Sequence, residues 1–122
     1  MAIHQIVGHV SEKVENLLSL SEVQDRNIYF SSTNLEHMQN SHPEDFEKYG
    51  SHLSEILENP DYVGKNPKDE SIEYVKEFCI DGEYVKVAVR ISSHGKYFAR
   101  SLYVLNRNRV IRFIEKGTLK KT

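Results

Sequence analysis

Two helix-start signals within residues 27–61 constrain the fold more than any other part of the chain. Residues 33–36 (TNLE) and 41–44 (SHPE) both match the capping box, in which a hydroxyl and a carboxylate three residues later satisfy backbone N–H groups at a helix start. Each box predicts where one helix begins. The first helix would carry His37, and the second would open at His42.

The second helix also shows a regular apolar pattern and a clear end. Its apolar residues recur at the spacing of one buried helical stripe. They are Phe46, Tyr49, Leu53, Ile56 and Leu57. Leu35 and Met38 predict a similar stripe on the first helix. Residues 59–61 (NPD) stop the second helix, because the residue before a proline avoids helical backbone angles. A short strand is predicted at residues 28–30.

From Ser71 onward the apolar residues alternate with polar ones, which is typical of half-buried strands. Asp81-Gly82 lies between two such runs and predicts a two-residue hairpin turn. That turn would pair Phe78 with Val85. It would also place opposite charges directly across the two strands. The expected charge pairs are Glu77 with Lys86 and Glu73 with Arg90.

A second hairpin is predicted around a four-residue loop at residues 93–96. This loop length keeps the apolar side chains on one face, whereas a shift by one residue would reverse them. The expected pairs are Val85 with Val104, Val87 with Leu102, and Ile91 with Phe98. After a turn at residues 106–109, a fourth strand would add Ile111 and Phe113 to the same face.

These elements predict an α+β fold in one domain spanning residues 1–122. An N-terminal strand and two short helices would pack on one face of a four-stranded antiparallel sheet. Residues 3–10 favour a strand, whereas residues 11–20 fit either a strand or a short helix. Residues 64–69 read as a loop of turn-forming residues.

Composition limits the classes of function. The net charge is −2, so any contact with nucleic acid must come from a local basic patch. The single cysteine, Cys79, excludes an internal disulfide and a multi-cysteine zinc site. The opening residues MAIHQIVGHV are too short and too interrupted for a signal peptide or a membrane span. We therefore expect a cytoplasmic protein that does not bind membranes.

The open face of the predicted sheet is the first candidate site. Its polar side chains would be Lys86, Arg90, Ser101, Tyr103 and Arg112. Cations beside hydroxyl groups can hold a phosphate and neutralise the charge that develops during phosphoryl transfer. The alternative is a solvated sheet face whose cations pair with Glu73 and Glu77.

Two histidines form the second candidate. His42 is expected in the first helical turn, where the positive end of the helix dipole favours the neutral imidazole that a general base needs. His37 is expected about one turn beyond its own helix start. Together they could act as base and acid in the attack of a ribose 2′-hydroxyl on the adjacent phosphodiester. The alternative is that both are structural. A metal site is not predicted, since the chain has no HExxH motif and no cysteine pair.

The order of these motifs resembles a known group of nucleases. A hydrophobic strand, a Ser-Ser-Thr cap, Leu-x-His-Met, His-Pro-Glu-Asp-Phe and Leu-x-x-Ile-Leu-x-Asn-Pro-Asp-Tyr precede a β-rich second half. This pattern, from about residue 28 to residue 105, resembles the phage-associated nuclease-like domains grouped with barnase, EndoU, colicin tRNases and RelE. The resemblance is to their third subgroup.

The resemblance implies a role for several residues. The helix histidine of the family corresponds to His37, and its polar strand residues correspond to Arg90, Ser101 and Tyr103. It further implies a cofactor-free ribonuclease that acts as a toxin or effector of a phage or mobile element. The expected partners are RNA, for example tRNA, and an immunity or antitoxin protein. An inert member of the same fold, binding a protein or RNA, is the alternative.

Overall fold

A computed structural model describes residues 5–20, 23–78 and 82–122. Its strands and helices, in chain order, are β1 Gln5–His9, α1 Glu12–Leu18, β2 Asn27–Phe30, α2 Ser32–Ser41, α3 Pro43–Tyr49, α4 Leu53–Glu58, β3 Tyr62–Lys65, β4 Ile72–Phe78, β5 Glu83–Ile91, β6 Tyr97–Leu105, α5 Arg107–Glu115 and β7 Leu119–Lys121. One turn of 3₁₀ helix, Gly50–His52, joins α3 to α4.

The strands form one mixed sheet in the order β1-β2-β6-β5-β4-β3-β7. All neighbours are antiparallel except β2 and β6, which are parallel. The predicted α+β class is therefore confirmed. The predicted four-stranded antiparallel sheet is wrong, because the described part of the chain contributes seven strands. The predicted pair of short helices on one face is also wrong, since the same residues form five helices and α5 covers the opposite face. The strands β3 and β7 were not anticipated, and residues 11–20, left open by the sequence, contain the helix α1.

The cap of α2 lies two residues before the predicted one. The Ser31 hydroxyl accepts a hydrogen bond from the Asn34 N–H at 3.1 Å, and the Asn34 side chain accepts one from the Ser31 N–H at 3.1 Å. Three successive hydroxyl residues, 31–33, compete for this position, and Ser31 has the extended backbone that a cap requires. The second predicted box does not form either, since α3 has His42 at its N-cap with no side-chain cap bond in the described residues.

The predicted second helix is divided by the 3₁₀ turn into α3 and α4, whereas its apolar stripe and its stop at Asn59 are confirmed. Tyr49, Leu53, Ile56 and Leu57 are buried in the main core, and Phe46 packs against its margin. The helix α4 ends at Glu58, with Asn59 as its C-cap. On α2, Met38 is buried but Leu35 is exposed.

The β4–β5 register differs from the predicted one by two residues. Phe78 pairs with Glu83 and Ile72 with Val89. Because side chains alternate with a period of two, this shift leaves each residue on its predicted face. The predicted Asp81-Gly82 turn and Cys79 fall on residues 79–81, outside the described ranges.

The β5–β6 register is confirmed in one half of the hairpin. Val85 pairs with Val104 and Val87 with Leu102. A bulge between Ala88 and Val89 then shifts the register, so that Ile91 faces Tyr97 instead of Phe98. Beyond the bulge, Tyr97 and Ala99 are buried in the main core.

The predicted fourth strand with Ile111 and Phe113 is wrong, because these residues belong to the helix α5. Asn106 caps this helix through its side chain, which accepts from the Asn108 N–H at 2.9 Å. Val110, Phe113 and Ile114, at the helical spacing i, i+3 and i+4, pack on the sheet face opposite to the main core. The second cluster beneath them contains Val75, Tyr84, Leu105 and Leu119.

The observed cap of α2 can be tested by substitution. Ser31→Ala should lower the free energy of unfolding by about 1 kcal/mol, because it leaves a backbone N–H of the first helical turn without its side-chain acceptor. Thr33→Ala, the matched control at the predicted cap, should change it by less than about 0.5 kcal/mol. Urea denaturation measures both. A larger loss for Thr33→Ala than for Ser31→Ala would contradict the observed cap.

Candidate functional site

The outer edge of β6 determines where the candidate site lies. The strand β2 pairs with β6 at Tyr97 and Phe98. Further along β6, a side chain of α3 occupies the edge instead, since Asp45 Oδ2 accepts a hydrogen bond from the Val104 N–H at 2.9 Å. This bond fixes the start of α3, and therefore His42, beside the second half of β6.

His42, Tyr103 and Lys86 lie in a row, here called the His42–Tyr103–Lys86 cluster. The His42 ring stacks on the Tyr103 ring with 4.8 Å between centroids and 28° between planes. Tyr103 pairs with Lys86 across the β5–β6 ladder, and Lys86 Nζ lies 5.0 Å from the Tyr103 ring centroid. The cluster joins an exposed imidazole, a half-buried phenol and an ammonium group on the sheet face opposite to the main core.

Lys86 is held by a carboxylate beneath the cluster. Its Nζ lies 2.5 Å from Glu73 Oε2, and the two side chains are only 12% and 9% exposed. Burial alone lowers the pKa of Lys86, but its contacts with Glu73 and Tyr103 outweigh burial and raise that pKa above the usual value. Lys86 is therefore a fixed cation and not a proton acceptor at neutral pH.

This pair corrects the two charge pairs expected from the sequence. With the register shifted by two residues, Val75 faces Lys86 and Ala88 faces Glu73. Glu73 then lies on the diagonal from Lys86, which is within reach of a long side chain. The pairs Glu77 with Lys86 and Glu73 with Arg90 are wrong for this reason.

Two other predicted residues lie further along the same face. Ser101 pairs with Ala88, which lies between Lys86 and Arg90 on β5. Arg90 pairs with Phe98 beyond the bulge, and its side chain is exposed. Arg112, predicted on a neighbouring strand, is an exposed residue of α5.

His37 is placed differently from His42. Its side chain is exposed on α2, and the contact that the structure gives it is with the Ser41 hydroxyl of the same helix, 3.4 Å from Nε2. The cluster with Tyr103 and Lys86 is thus formed by His42. The role of His37 inferred from the resemblance stays a prediction.

A comparison with known families tests the resemblance inferred from the sequence. Residues 4–112 match the profile of the family described as phage-Barnase-EndoU-ColicinE5/D-RelE like nuclease3. The chain belongs to this nuclease family. No curated protein and no solved structure gives a significant match. The resemblance inferred from the strand, the caps and the Asn-Pro-Asp-Tyr stop is therefore confirmed.

Two contacts around the cluster could not be inferred from spacing along the chain. Asp45 bonds to Val104, 59 residues away, and Glu73 reaches Lys86 only in the observed strand register. The cations of α5 could have been found, because Asn106 followed by Val110, Phe113 and Ile114 is a helical pattern.

The described residues give two further results for this chain. They contain no group of three or more His, Cys, Asp or Glu side chains arranged to hold a metal ion. In the same ranges, no helix is both long enough and apolar enough to cross a membrane.

The buried pair can be tested by removing one partner. Lys86→Met should lower the free energy of unfolding by about 3 kcal/mol at pH 7, because it leaves the buried Glu73 carboxylate without its partner. Adding Glu73→Gln should restore most of this loss, since no unpaired charge then remains. Urea denaturation of both variants at pH 7 measures the difference. Equal losses in the single and double variants would contradict a tightly coupled pair.

Proposed function

We propose that residues 1–122 act as one endoribonuclease domain that cleaves RNA by attack of the ribose 2′-hydroxyl, without a metal ion. The observation that carries the proposal is the stacking of His42 on Tyr103 beside Lys86, in a chain of a nuclease family. A proton-transfer group and a fixed cation on one surface are what phosphodiester cleavage needs.

In this reaction the substrate supplies its own nucleophile. The 2′-oxygen bonds to phosphorus as its proton passes to a base, and the bond from phosphorus to the 5′-oxygen breaks as that oxygen takes a proton from an acid. The products are a 2′,3′-cyclic phosphate and a 5′-hydroxyl. We assign one proton transfer to His42, which adjoins Tyr103. His37, the histidine indicated by the resemblance, is the candidate for the other.

The remaining predicted residues bind and orient the phosphate. Lys86 keeps its positive charge, because its contacts with Glu73 and Tyr103 raise its pKa, and it can stabilise the charge on the pentacoordinate phosphorus. The hydroxyl groups of Tyr103 and Ser101 would orient the phosphate oxygens. Arg90 and Arg112, both exposed, would bind neighbouring phosphates.

We further propose the biological setting that the family description suggests. The protein would act in the cytoplasm as a toxin or effector of a phage or mobile element, with tRNA as one candidate substrate. An immunity or antitoxin protein would then restrain it. The family description names a phage-associated nuclease, which supports this setting.

A second function has two specific observations in its favour. Glu73 neutralises Lys86, and His37 contacts Ser41 rather than the cluster. An inert domain that binds RNA or a protein partner would have no need of a second proton-transfer group beside Lys86. Cleavage assays separate the two functions directly.

The test is incubation of the purified protein with total RNA and with tRNA in excess chelator. We expect cleavage by the parent protein, and losses of about 100-fold or more in His42→Ala, because general acid–base catalysis contributes that much. Arg90→Ala should bind RNA more weakly. His94→Ala is the matched control, since His94 lies on an exposed loop, and it should cleave like the parent.

The variants also decide which histidine acts. A loss in both His37→Ala and His42→Ala assigns the two proton transfers to this pair, whereas a loss in His42→Ala alone assigns His42 as the essential residue. Full activity in His42→Ala would refute the proposed site. A folded parent that binds RNA without cleaving it would support the inert domain.

A further inference from the structure

The basic residues of this acidic protein are concentrated at its C-terminal end. Residues 107–122 hold six of the 16 Lys and Arg residues and one of the 18 Asp and Glu residues, a net charge of +5. Residues 1–106 therefore carry a net charge of −7. Such segregation creates a local positive potential that the net charge of −2 conceals.

Three of these cations form one line on α5. Arg109, Arg112 and Lys116, the C-cap residue, are spaced i, i+3 and i+7, which places them on one face of the helix. All three are exposed, and Val110 is fully buried beneath the helix. With a rise of about 1.5 Å per residue, the line extends roughly 10 Å along the helix axis.

Local stability explains these cations only in part, through the contact of Arg112 and Lys116 with the negative end of the helix dipole. None of the three forms an ion pair with any residue in the ranges 5–20, 23–78 and 82–122. Like charges at i, i+3 and i, i+4 destabilise a helix, and a cation in the first turn opposes the helix dipole. The first turn of α5 contains Arg109 and no acidic residue. One guanidinium is held over a ring, since Arg109 lies 5.7 Å from the Phe113 centroid.

The helix α5 lies on the same face of the sheet as Tyr103 and Lys86. Phe113 of α5 and Tyr103 of β6 both pack against the second apolar cluster, on the sheet face opposite to the main core. The cations of α5 and the proposed site therefore share one face of the sheet. A polyanion bound along α5 would continue towards Tyr103 and Lys86.

We propose that Arg109, Arg112 and Lys116 bind the sugar–phosphate backbone of single-stranded RNA and guide it to the His42–Tyr103–Lys86 cluster. This inference rests on the proposed ribonuclease function and adds a second binding element to it. The strand is single because stacking of a base on an exposed aromatic surface such as the His42 ring requires an unpaired base. Backbone contacts of this kind carry no base sequence preference.

The test compares salt dependence of binding in two triple variants. Arg109→Gln/Arg112→Gln/Lys116→Gln removes the line, and Lys13→Gln/Lys65→Gln/Lys68→Gln removes three exposed lysines elsewhere. Fluorescence anisotropy is measured with a labelled 2′-O-methyl RNA, which lacks the nucleophile and cannot be cleaved. Loss of three backbone contacts should reduce the slope of log K against log salt by about 2, because each contact to a single strand contributes about 0.7. The control triple should keep the slope of the parent.

The outcomes distinguish the inference from the function on which it rests. If the parent cleaves RNA and binds the probe but the α5 triple keeps the parental slope, the inference fails and the proposed function stands. If the parent neither binds the probe nor cleaves RNA, both fail. Binding of the parent to vesicles of 30% phosphatidylglycerol in phosphatidylcholine, abolished in the α5 triple while RNA binding is unchanged, would assign the line to a lipid surface and overturn the inference. Urea denaturation checks that the α5 triple is folded, and removing like charges should not destabilise it.

Discussion

The outer edge of β6 is the constraint on which the site depends. A sheet edge presents backbone N–H and C=O groups that need partners, and β2 supplies them at Tyr97 and Phe98. Beyond that point, Asp45 of α3 accepts the Val104 N–H. The carboxylate that satisfies the edge also fixes the corner between α2 and α3, so the same bond holds His42 against Tyr103. The bond between Asp45 and Val104 therefore satisfies the sheet edge and positions the cluster at the same time.

The two faces of the sheet are buried to different degrees. One face is covered by the main core, in which Val85, Val87 and Val89 are fully buried. The other face is covered at one end by α5 and leaves Lys86 at its border. There Lys86 needs Glu73 to compensate its burial, so the proposed phosphate-binding cation is also part of a buried ion pair. Stability and the proposed phosphate binding therefore place competing demands on the same charge.

Local patterns predicted much of the chain. The apolar stripe of residues 46–57, the stop at Asn59, the strand at residues 28–30 and the faces of β4 and β5 followed from side-chain period and turn residues. The predictions that were wrong concerned positions where several residues could form the same cap, or contacts between segments distant in sequence. Three neighbouring hydroxyl residues compete for one helix cap. The bulge between Ala88 and Val89 changes the β5–β6 register, and side-chain alternation does not predict a bulge. The alternation around Ile111 suggested a strand, but these residues form the helix α5, which covers the sheet face opposite to the main core.

The sequence by itself determined the family, the α+β class and the residue types available for chemistry. Periodicity, caps and the order of motifs are properties of neighbouring residues, so they can be read without a fold. Only the tertiary structure decided that Lys86 pairs with Glu73, that His42 rather than His37 adjoins Tyr103, and that the surplus cations lie on α5. Each of these depends on strand register or on packing between distant segments. Those contacts depend on how all the elements pack around the core, which cannot be inferred from any single stretch of sequence.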